Sequence, residues 1–139
     1  MKLISLFYAG AIGTIAIVLA FFTVRQRLKT QISLGSGDSE ELLSTQRAHG
    51  NFLEYALVFL ALSFSLEIIG NIPDLAIVIF GDIFLLGRIF HIYTLVGKGN
   101  IIFRQMGILL SWTIILIQSI WAMIISGQWL LENNIGLNL

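Results

Sequence analysis

Six polar residues stand in otherwise apolar parts of the chain and could together bind a small charged molecule. Four of them lie at offsets of 0, 4, 7 and 8, and at about 100° per residue these offsets confine them to one arc of a helix. The other two are three positions apart and share a face of a later helix. The residues are Arg47, Asn51, Glu54 and Tyr55, followed by Arg88 and His91. Guanidinium, amide, carboxylate, phenol and imidazole groups suit a ligand that carries both charge and hydrogen-bonding groups.

The elements that must position these residues are membrane helices. Of the 139 residues, 57% are apolar and 12% are charged, against the quarter that is usual in soluble domains. A membrane helix needs about 20 mostly apolar residues, and four segments meet this requirement. They predict helices at approximately 3–24, 39–69, 74–97 and 104–131. Strands are excluded because an open sheet would leave unpaired backbone groups in lipid and four segments are too few for a barrel.

The predicted fold is therefore all-α, a bundle of four transmembrane helices in a single membrane domain over residues 1–139. The first segment resembles a signal peptide because Lys2 precedes it. However, it is too long and has no small-residue cleavage site before Arg25, so we interpret it as a retained membrane helix.

The distribution of positive charge predicts the orientation. Lysine and arginine flank the loops at 25–46 and 98–104, whereas Lys2 is the positive residue at the opposite side. By the positive-inside rule both loops are cytoplasmic and both termini are outside. The positive residues that flank the two loops are Arg25, Arg27, Lys29, Arg47, Lys98 and Arg104.

Composition also excludes several kinds of site. The sequence has no cysteine, which excludes disulfides and thiolate metal sites. Two histidines on different helices are too few for a metal or haem site, so no metal is predicted, and His49 lies off the polar arc. The net charge is zero and there is no basic tract, so no nucleic acid is expected as a partner.

Local signals give the start of helix two and the depth of its polar arc. Asp38 followed by Glu41 resembles a capping box, so this helix should begin near Ser39. At about 1.5 Å per residue, Glu54 lies about 10 Å in from Arg47. Helix three runs back toward the same side, and Arg88 then lies about 15 Å from its end.

These depths would let Glu54 meet Arg88 or His91. One interpretation is a buried ion pair of Glu54 with Arg88 that serves only helix registration. The other is a pocket with an excess of positive charge that binds an acidic ligand. This interpretation is favoured because no internal carboxylate remains to accept hydrogen bonds from Arg47, Asn51 and His91.

Four further polar or small positions are assigned to packing or to the membrane surface. Asp82 falls on the other side of helix three and is expected to form an interhelical hydrogen bond. Glu67 is expected near the outer membrane surface. Ala9 and Gly13 form a small-xxx-small pair that suits close helix packing.

Residues 47–55, RAHGNFLEY, resemble the signature of the MAPEG family, the membrane-associated proteins in eicosanoid and glutathione metabolism. Further motifs occur in the same order as in the small bacterial branch of that family. They are GSGD at 35–38 before ELL at 41–43, GRIFH at 87–91 and RQMG at 104–107. The resemblance covers nearly the whole chain.

The resemblance implies a homotrimer of four-helix subunits in a bacterial inner membrane, with glutathione as co-substrate bound between neighbouring subunits near the cytoplasmic face. It implies a transferase or peroxidase that conjugates or reduces hydrophobic electrophiles, which arrive through the bilayer, in detoxification. By position, the glutathione-binding residues are Arg47, Asn51, Glu54, Tyr55, Arg88 and His91, with Arg25 and Arg27 as further candidates. Arg104 is the catalytic candidate that stabilises the thiolate, because nearby positive charge lowers the pKa of a thiol.

One departure from the family pattern keeps an alternative open. The positions on helix three that carry tyrosines in leukotriene synthases are His91 and Leu95 here. The alternative is a non-catalytic membrane protein that keeps the family scaffold and binds a small acid or lipid. A small multidrug transporter is disfavoured, because such transporters need an acidic residue in the first helix and residues 3–24 contain none.

Overall fold

Four long α-helices make up the described part of the protein. The computed structural model describes residues 3–97 and 99–133. Over these residues the helices are α1 (Ile4–Thr30), α2 (Glu40–Ile68), α3 (Asp74–Val96) and α4 (Ile101–Glu132). All four are long and apolar enough to cross a membrane, so the predicted all-α membrane bundle is confirmed. Lys2 and Lys98, which entered the charge count, lie outside the described residues.

The outer surface of the bundle is apolar. Large side chains on every helix face outward, among them Ile17, Leu57, Leu75 and Leu109, which are 73%, 74%, 69% and 64% exposed. In water an apolar surface of this extent would drive association. In a bilayer it contacts lipid tails instead, which is consistent with a membrane domain.

The helix ends follow the polar signals, and two of them extend beyond the predicted bounds. Ser39 caps α2 by accepting a hydrogen bond from the backbone N–H of Leu42 at 3.2 Å. The prediction that α2 begins near Ser39 is therefore correct, but Asp38 is not the capping residue. Helix α1 continues to Thr30, because helical turns can continue as polar sequence outside the hydrocarbon, where hydropathy does not detect them. Helix α4 starts at Ile101, where Asn100 caps it by accepting a hydrogen bond from the backbone N–H of Ile102 at 3.2 Å.

The loop between α1 and α2 is held by Arg27. Its Nη1 donates to the carbonyls of Ser33 at 2.8 Å and Ile32 at 3.2 Å. The carbonyl of Gly35 also accepts a hydrogen bond from Gln46 at 2.8 Å, and Gly35 has a φ of +67°, which favours glycine. Arg27 therefore organises this loop.

Helices α3 and α4 approach closely where two glycines face each other. A Cβ atom on Gly107 would overlap the carbonyl oxygen of Gly87, and one on Gly87 would lie 2.9 Å from Oγ of Ser111. Gly13 on α1, by contrast, has nothing within 4 Å of its Cβ position and is exposed. The small-xxx-small pair predicted at Ala9 and Gly13 therefore does not form a close approach within the described chain, and the glycines that do were not predicted.

Two acidic residues connect the helices through hydrogen bonds to α1. Asp82 accepts a hydrogen bond from the phenol of Tyr8 at 2.7 Å, which confirms the predicted interhelical role. Glu67 is 2% exposed and accepts the backbone N–H groups of Ile4 and Ser5 at 2.8 Å each. Glu67 is the second-last residue of α2, and its carboxylate satisfies the unpaired N–H groups at the start of α1. Its expected position near the outer membrane surface stays a prediction.

Candidate ligand-binding groove

A groove of about 840 Å³ lies between α2 and α4, with the end of α3 at its base. It is at the end of the bundle that carries the loop between α1 and α2. The residues that line it are Glu40, Leu43, Ser44, Gln46, Arg47, Gly50, Asn51, Glu54, Tyr55, His91, Leu95, Arg104, Ile108 and Trp112. Polar and apolar side chains both contribute, so the groove can hold a ligand that has a charged and a hydrophobic part.

The polar arc predicted on α2 faces this groove. Arg47, Asn51, Glu54 and Tyr55 all line it. Arg47 and Glu54 are exposed, and within the described residues neither side chain is engaged in a hydrogen bond or ion pair. A free guanidinium and a free carboxylate on one helix face are thus available to a ligand of mixed charge.

Helix α3 contributes an imidazole to the groove. His91 is 3% exposed, and its Nδ1 has no hydrogen-bond partner among residues 3–97 and 99–133. Ser44 donates a hydrogen bond to the carbonyl of Leu95, which joins α2 to α3 beside the groove. His91 is therefore placed where the sequence predicted it.

Arg88 lies beneath the groove instead of in its lining. It is fully buried, and its Nε donates to Oγ of Ser111 at 2.9 Å, while Nη2 donates to the carbonyl of Gly107 at 3.2 Å. Its Nη1 donates to Oδ1 of Asn51 at 3.1 Å. The ion pair of Glu54 with Arg88 is not formed, because Glu54 points outward and neutral acceptors on α2 and α4 surround the guanidinium.

The α4 wall of the groove has a polar and an aromatic end. Arg104, Ile108 and Trp112 follow each other at intervals of four residues and so share one face of α4. The indole Nε1 of Trp112 donates to the hydroxyl of Tyr55 at 2.8 Å, which connects the two walls. Arg104 was predicted from the sequence, whereas Ile108 and Trp112 were not, although their intervals of four residues from Arg104 could be read from it.

Besides Arg88, two of the predicted site residues do not line the groove. Arg25 is exposed on α1, and Arg27 is engaged with loop carbonyls. Helix α1, described from Ile4 to Thr30, contributes no residue to the groove lining. No cluster of three histidine or acidic residues that could hold a metal ion is found in the described ranges.

A second groove, of about 690 Å³, lies between α2 and α4 at the opposite end of the bundle. The hydroxyls of Ser65, Ser119 and Ser126 in its lining donate to carbonyls of their own helices at 2.8, 2.7 and 2.8 Å. It therefore offers mainly apolar surface, and the polar groove is the stronger candidate for a functional site.

Comparison with known families agrees with the arrangement of helices and motifs. The model described as the MAPEG family matches residues 5–124. The chain belongs to the MAPEG family. This family match includes the groove residues on α2, α3 and α4 named above.

Curated relatives of this MAPEG-family chain are bacterial membrane proteins. The chain is 28% identical over 129 residues to the inner membrane protein YecN of Escherichia coli strain K12, with 91% of the chain and 92% of the relative covered. The YecN protein of Escherichia coli O6:H1 matches with the same identity and coverage. No solved structure matches the chain. The relatives are named only as inner membrane proteins. They therefore support the membrane location, and any proposal about chemistry must rest on the residues of the groove.

Proposed function

We propose that this MAPEG-family protein binds glutathione in the groove between α2 and α4 and delivers its thiol to hydrophobic electrophiles. The observation that carries the proposal is the free polar arc on α2, in which Arg47 and Glu54 line one wall and have no partner within the described chain. Glutathione has two carboxylates, one ammonium and two peptide groups. Arginine suits a carboxylate and glutamate suits an ammonium, and Asn51 can satisfy a peptide group.

Arg104 is the proposed catalytic residue. It lines the α4 wall opposite the polar arc, and its side chain is exposed at the groove mouth. A guanidinium there would stabilise the thiolate, which is the nucleophilic form of the thiol. The sulfur then attacks an electrophilic carbon, a C–S bond forms, and the leaving group departs with the electrons of its former bond.

The electrophile is proposed to occupy the apolar end of the groove. Ile108 and Trp112 lie there, deeper along α4 than Arg104. Trp112 is 55% exposed, so its ring can contact a hydrophobic molecule that arrives sideways through the bilayer. This arrangement places the hydrophobic substrate near the thiol without requiring it to pass through water.

The working unit is proposed to be a homotrimer in a bacterial inner membrane, with the loop between α1 and α2 in the cytoplasm. Glu54 lies about four turns into α2, is exposed, and has no partner in the described part of the subunit. A charged residue inside a membrane helix costs about 2.5–3.5 kcal/mol on insertion scales. Coverage by glutathione and a neighbouring subunit would remove this cost. Native mass spectrometry from detergent tests the trimer, and a monomer at all concentrations would contradict it.

Calorimetry with glutathione tests the binding proposal. The detergent-solubilised protein is expected to bind glutathione, and Arg47→Ala should weaken binding about tenfold or more, the usual effect of losing a hydrogen bond to a charged group. Lys29→Ala is the matched control, because Lys29 is exposed and pairs with Glu41 at 3.0 Å outside the groove lining. Absence of binding by the unmodified protein would overturn the proposal.

A second candidate function is a non-catalytic binding protein, and the residue that favours it is Leu95. This side chain lies in the groove lining and cannot donate a hydrogen bond to a thiolate or an oxyanion. A conjugation assay with a chlorodinitrobenzene-type electrophile separates the two functions. Product formation above the uncatalysed rate supports the transferase, whereas glutathione binding without turnover supports the binding protein.

A further inference from the structure

Arg88 is a buried cation without a carboxylate partner in the described chain. Its side chain is fully buried at the centre of the bundle. Each arm of the guanidinium meets a neutral oxygen, and these oxygens belong to Ser111, Asn51 and Gly107. The Cζ atom also lies 4.7 Å from the ring centroid of Tyr55, within the range of a cation–π contact. Arg88 therefore contacts two residues of the groove lining, Asn51 and Tyr55, while lying outside the lining itself.

The hydrogen bond from Arg88 fixes which atoms Asn51 can offer to a ligand. A side-chain amide has one acceptor oxygen and an NH₂ group with two donors. The oxygen, Oδ1, is directed at Nη1 of Arg88 at 3.1 Å. The NH₂ group remains for the groove, so Asn51 presents donors to whatever binds there.

The contacts of Tyr55 also determine which hydrogen-bonding group it can offer to a ligand. Its ring lies beside the guanidinium of Arg88, and its hydroxyl accepts the indole N–H of Trp112 at 2.8 Å. The proton of the Tyr55 hydroxyl is then left to donate. Both neighbours of Arg88 thus present donors, which suits carboxylate and carbonyl oxygens of a ligand and disfavours groups that can only donate.

We propose that Arg88 is a positioning residue, which orients Asn51 and Tyr55 as hydrogen-bond donors toward an anionic ligand that it does not touch. This inference rests on the proposed binding of glutathione and assigns the ligand segment near Asn51 to a carboxylate or peptide carbonyl. The close approach of α3 and α4 at Gly87 and Gly107 supports it, because that approach brings the α4 acceptors within reach of Arg88.

The test begins with Asn51→Asp. The carboxylate keeps an acceptor for Arg88, so the variant should melt at the same temperature as the unmodified protein or higher. It has no donors for the groove, so its affinity for glutathione, measured by calorimetry, should fall about tenfold or more. Unchanged affinity would show that the Asn51 amide does not donate to the ligand and would overturn the inference.

A double-mutant cycle separates positioning from a general loss of stability. Asn51→Ala should weaken glutathione binding about tenfold in the unmodified protein, but less than about twofold in an Arg88→Lys background, where the amide is no longer held. Additive losses in the cycle would show that Arg88 acts only on the fold. Arg88→Lys should also raise KM for glutathione more than it lowers kcat, because the residue orients a binding group and does not touch the thiol.

The two proposals fail in different ways. If the unmodified protein binds no glutathione, the proposed function is overturned, and this inference falls with it. If the protein binds glutathione while Asn51→Asp binds as well as the unmodified protein, only the positioning role of Arg88 is overturned.

Discussion

The phenol of Tyr8 on α1 donates to Oδ1 of Asp82 on α3 at 2.7 Å, and the carbonyl of Val78 lies 2.9 Å from the same hydroxyl. The Tyr8 ring is 3% exposed and packs over the backbone of Gly81, where a Cβ atom would overlap it. Glycine at this position is therefore required for the ring to reach Asp82, and this contact connects α1 to α3 within the bundle.

Gly81→Ala is expected to lower the free energy of unfolding by about 1–3 kcal/mol, the usual cost of overpacking. The added methyl group must displace the Tyr8 ring and weaken its hydrogen bond to Asp82. Unfolding in mixed detergent micelles, followed by circular dichroism, measures the change.

The matched control for that experiment is Gly127→Ala on α4. Its Cβ position has nothing within 4 Å, so the substitution should leave the free energy of unfolding unchanged or raise it by about 0.5–1 kcal/mol through helix propensity. Equal losses in the two variants would show that the Tyr8 contact is not the cause.

Glu67→Ala is expected to destabilise the protein by about 1.5–3 kcal/mol, as for hydrogen bonds to a charged group. The carboxylate accepts two backbone N–H groups at the start of α1, and alanine leaves both without this acceptor. Glu67→Gln keeps one acceptor oxygen and should lose less. Hydrogen exchange at Ile4 and Ser5 locates the effect, and unchanged protection of these amides in Glu67→Ala would contradict the capping role.

Much of the fold and of the α2 wall could be predicted from the sequence, because these features depend on patterns within one helix. The length of the apolar segments predicted four spans, and offsets of 4, 7 and 8 from Arg47 placed Asn51, Glu54 and Tyr55 on one face, as the groove confirms. The start of α2 near Ser39 was also predicted from local polar residues, and Ser39 caps the helix in the structure.

The contacts between helices could not be predicted in the same way. An ion pair of Arg88 with Glu54 was one of two interpretations, yet two of the three acceptors of Arg88 belong to Ser111 and Gly107 on α4. Depth alone does not say which neighbouring helix faces a residue. The contact of Glu67 with the start of α1 was not predicted for the same reason, since nothing in its own helix indicated that α1 would begin beside it. Trp112 was missed because a tryptophan in an apolar segment usually contacts lipid or the core.

Trp112→Ala is expected to raise KM for an aromatic electrophile by about tenfold and to leave glutathione affinity within about threefold, since the indole lies at the apolar end of the groove. Trp112→Phe keeps an aromatic surface but loses the hydrogen bond to Tyr55, so it should give a smaller increase in KM. Steady-state conjugation kinetics measure both variants. An equal effect of Trp112→Ala on small aliphatic and aromatic electrophiles would argue against ring contact.

Arg104→Ala is expected to lower kcat for conjugation about a hundredfold, the range seen when a group that stabilises developing or resting negative charge is removed. Arg104 is exposed at the groove mouth, so the variant should fold normally. The loss of activity should then be confined to the chemical step. Arg104→Lys keeps the charge without the planar fork and should retain an intermediate kcat. The ultraviolet absorbance of the thiolate in bound glutathione reports the cause directly, because it should fall in Arg104→Ala and persist in Lys29→Ala. If Arg104→Ala loses turnover while the thiolate absorbance stays, Arg104 acts on the electrophile and not on the sulfur.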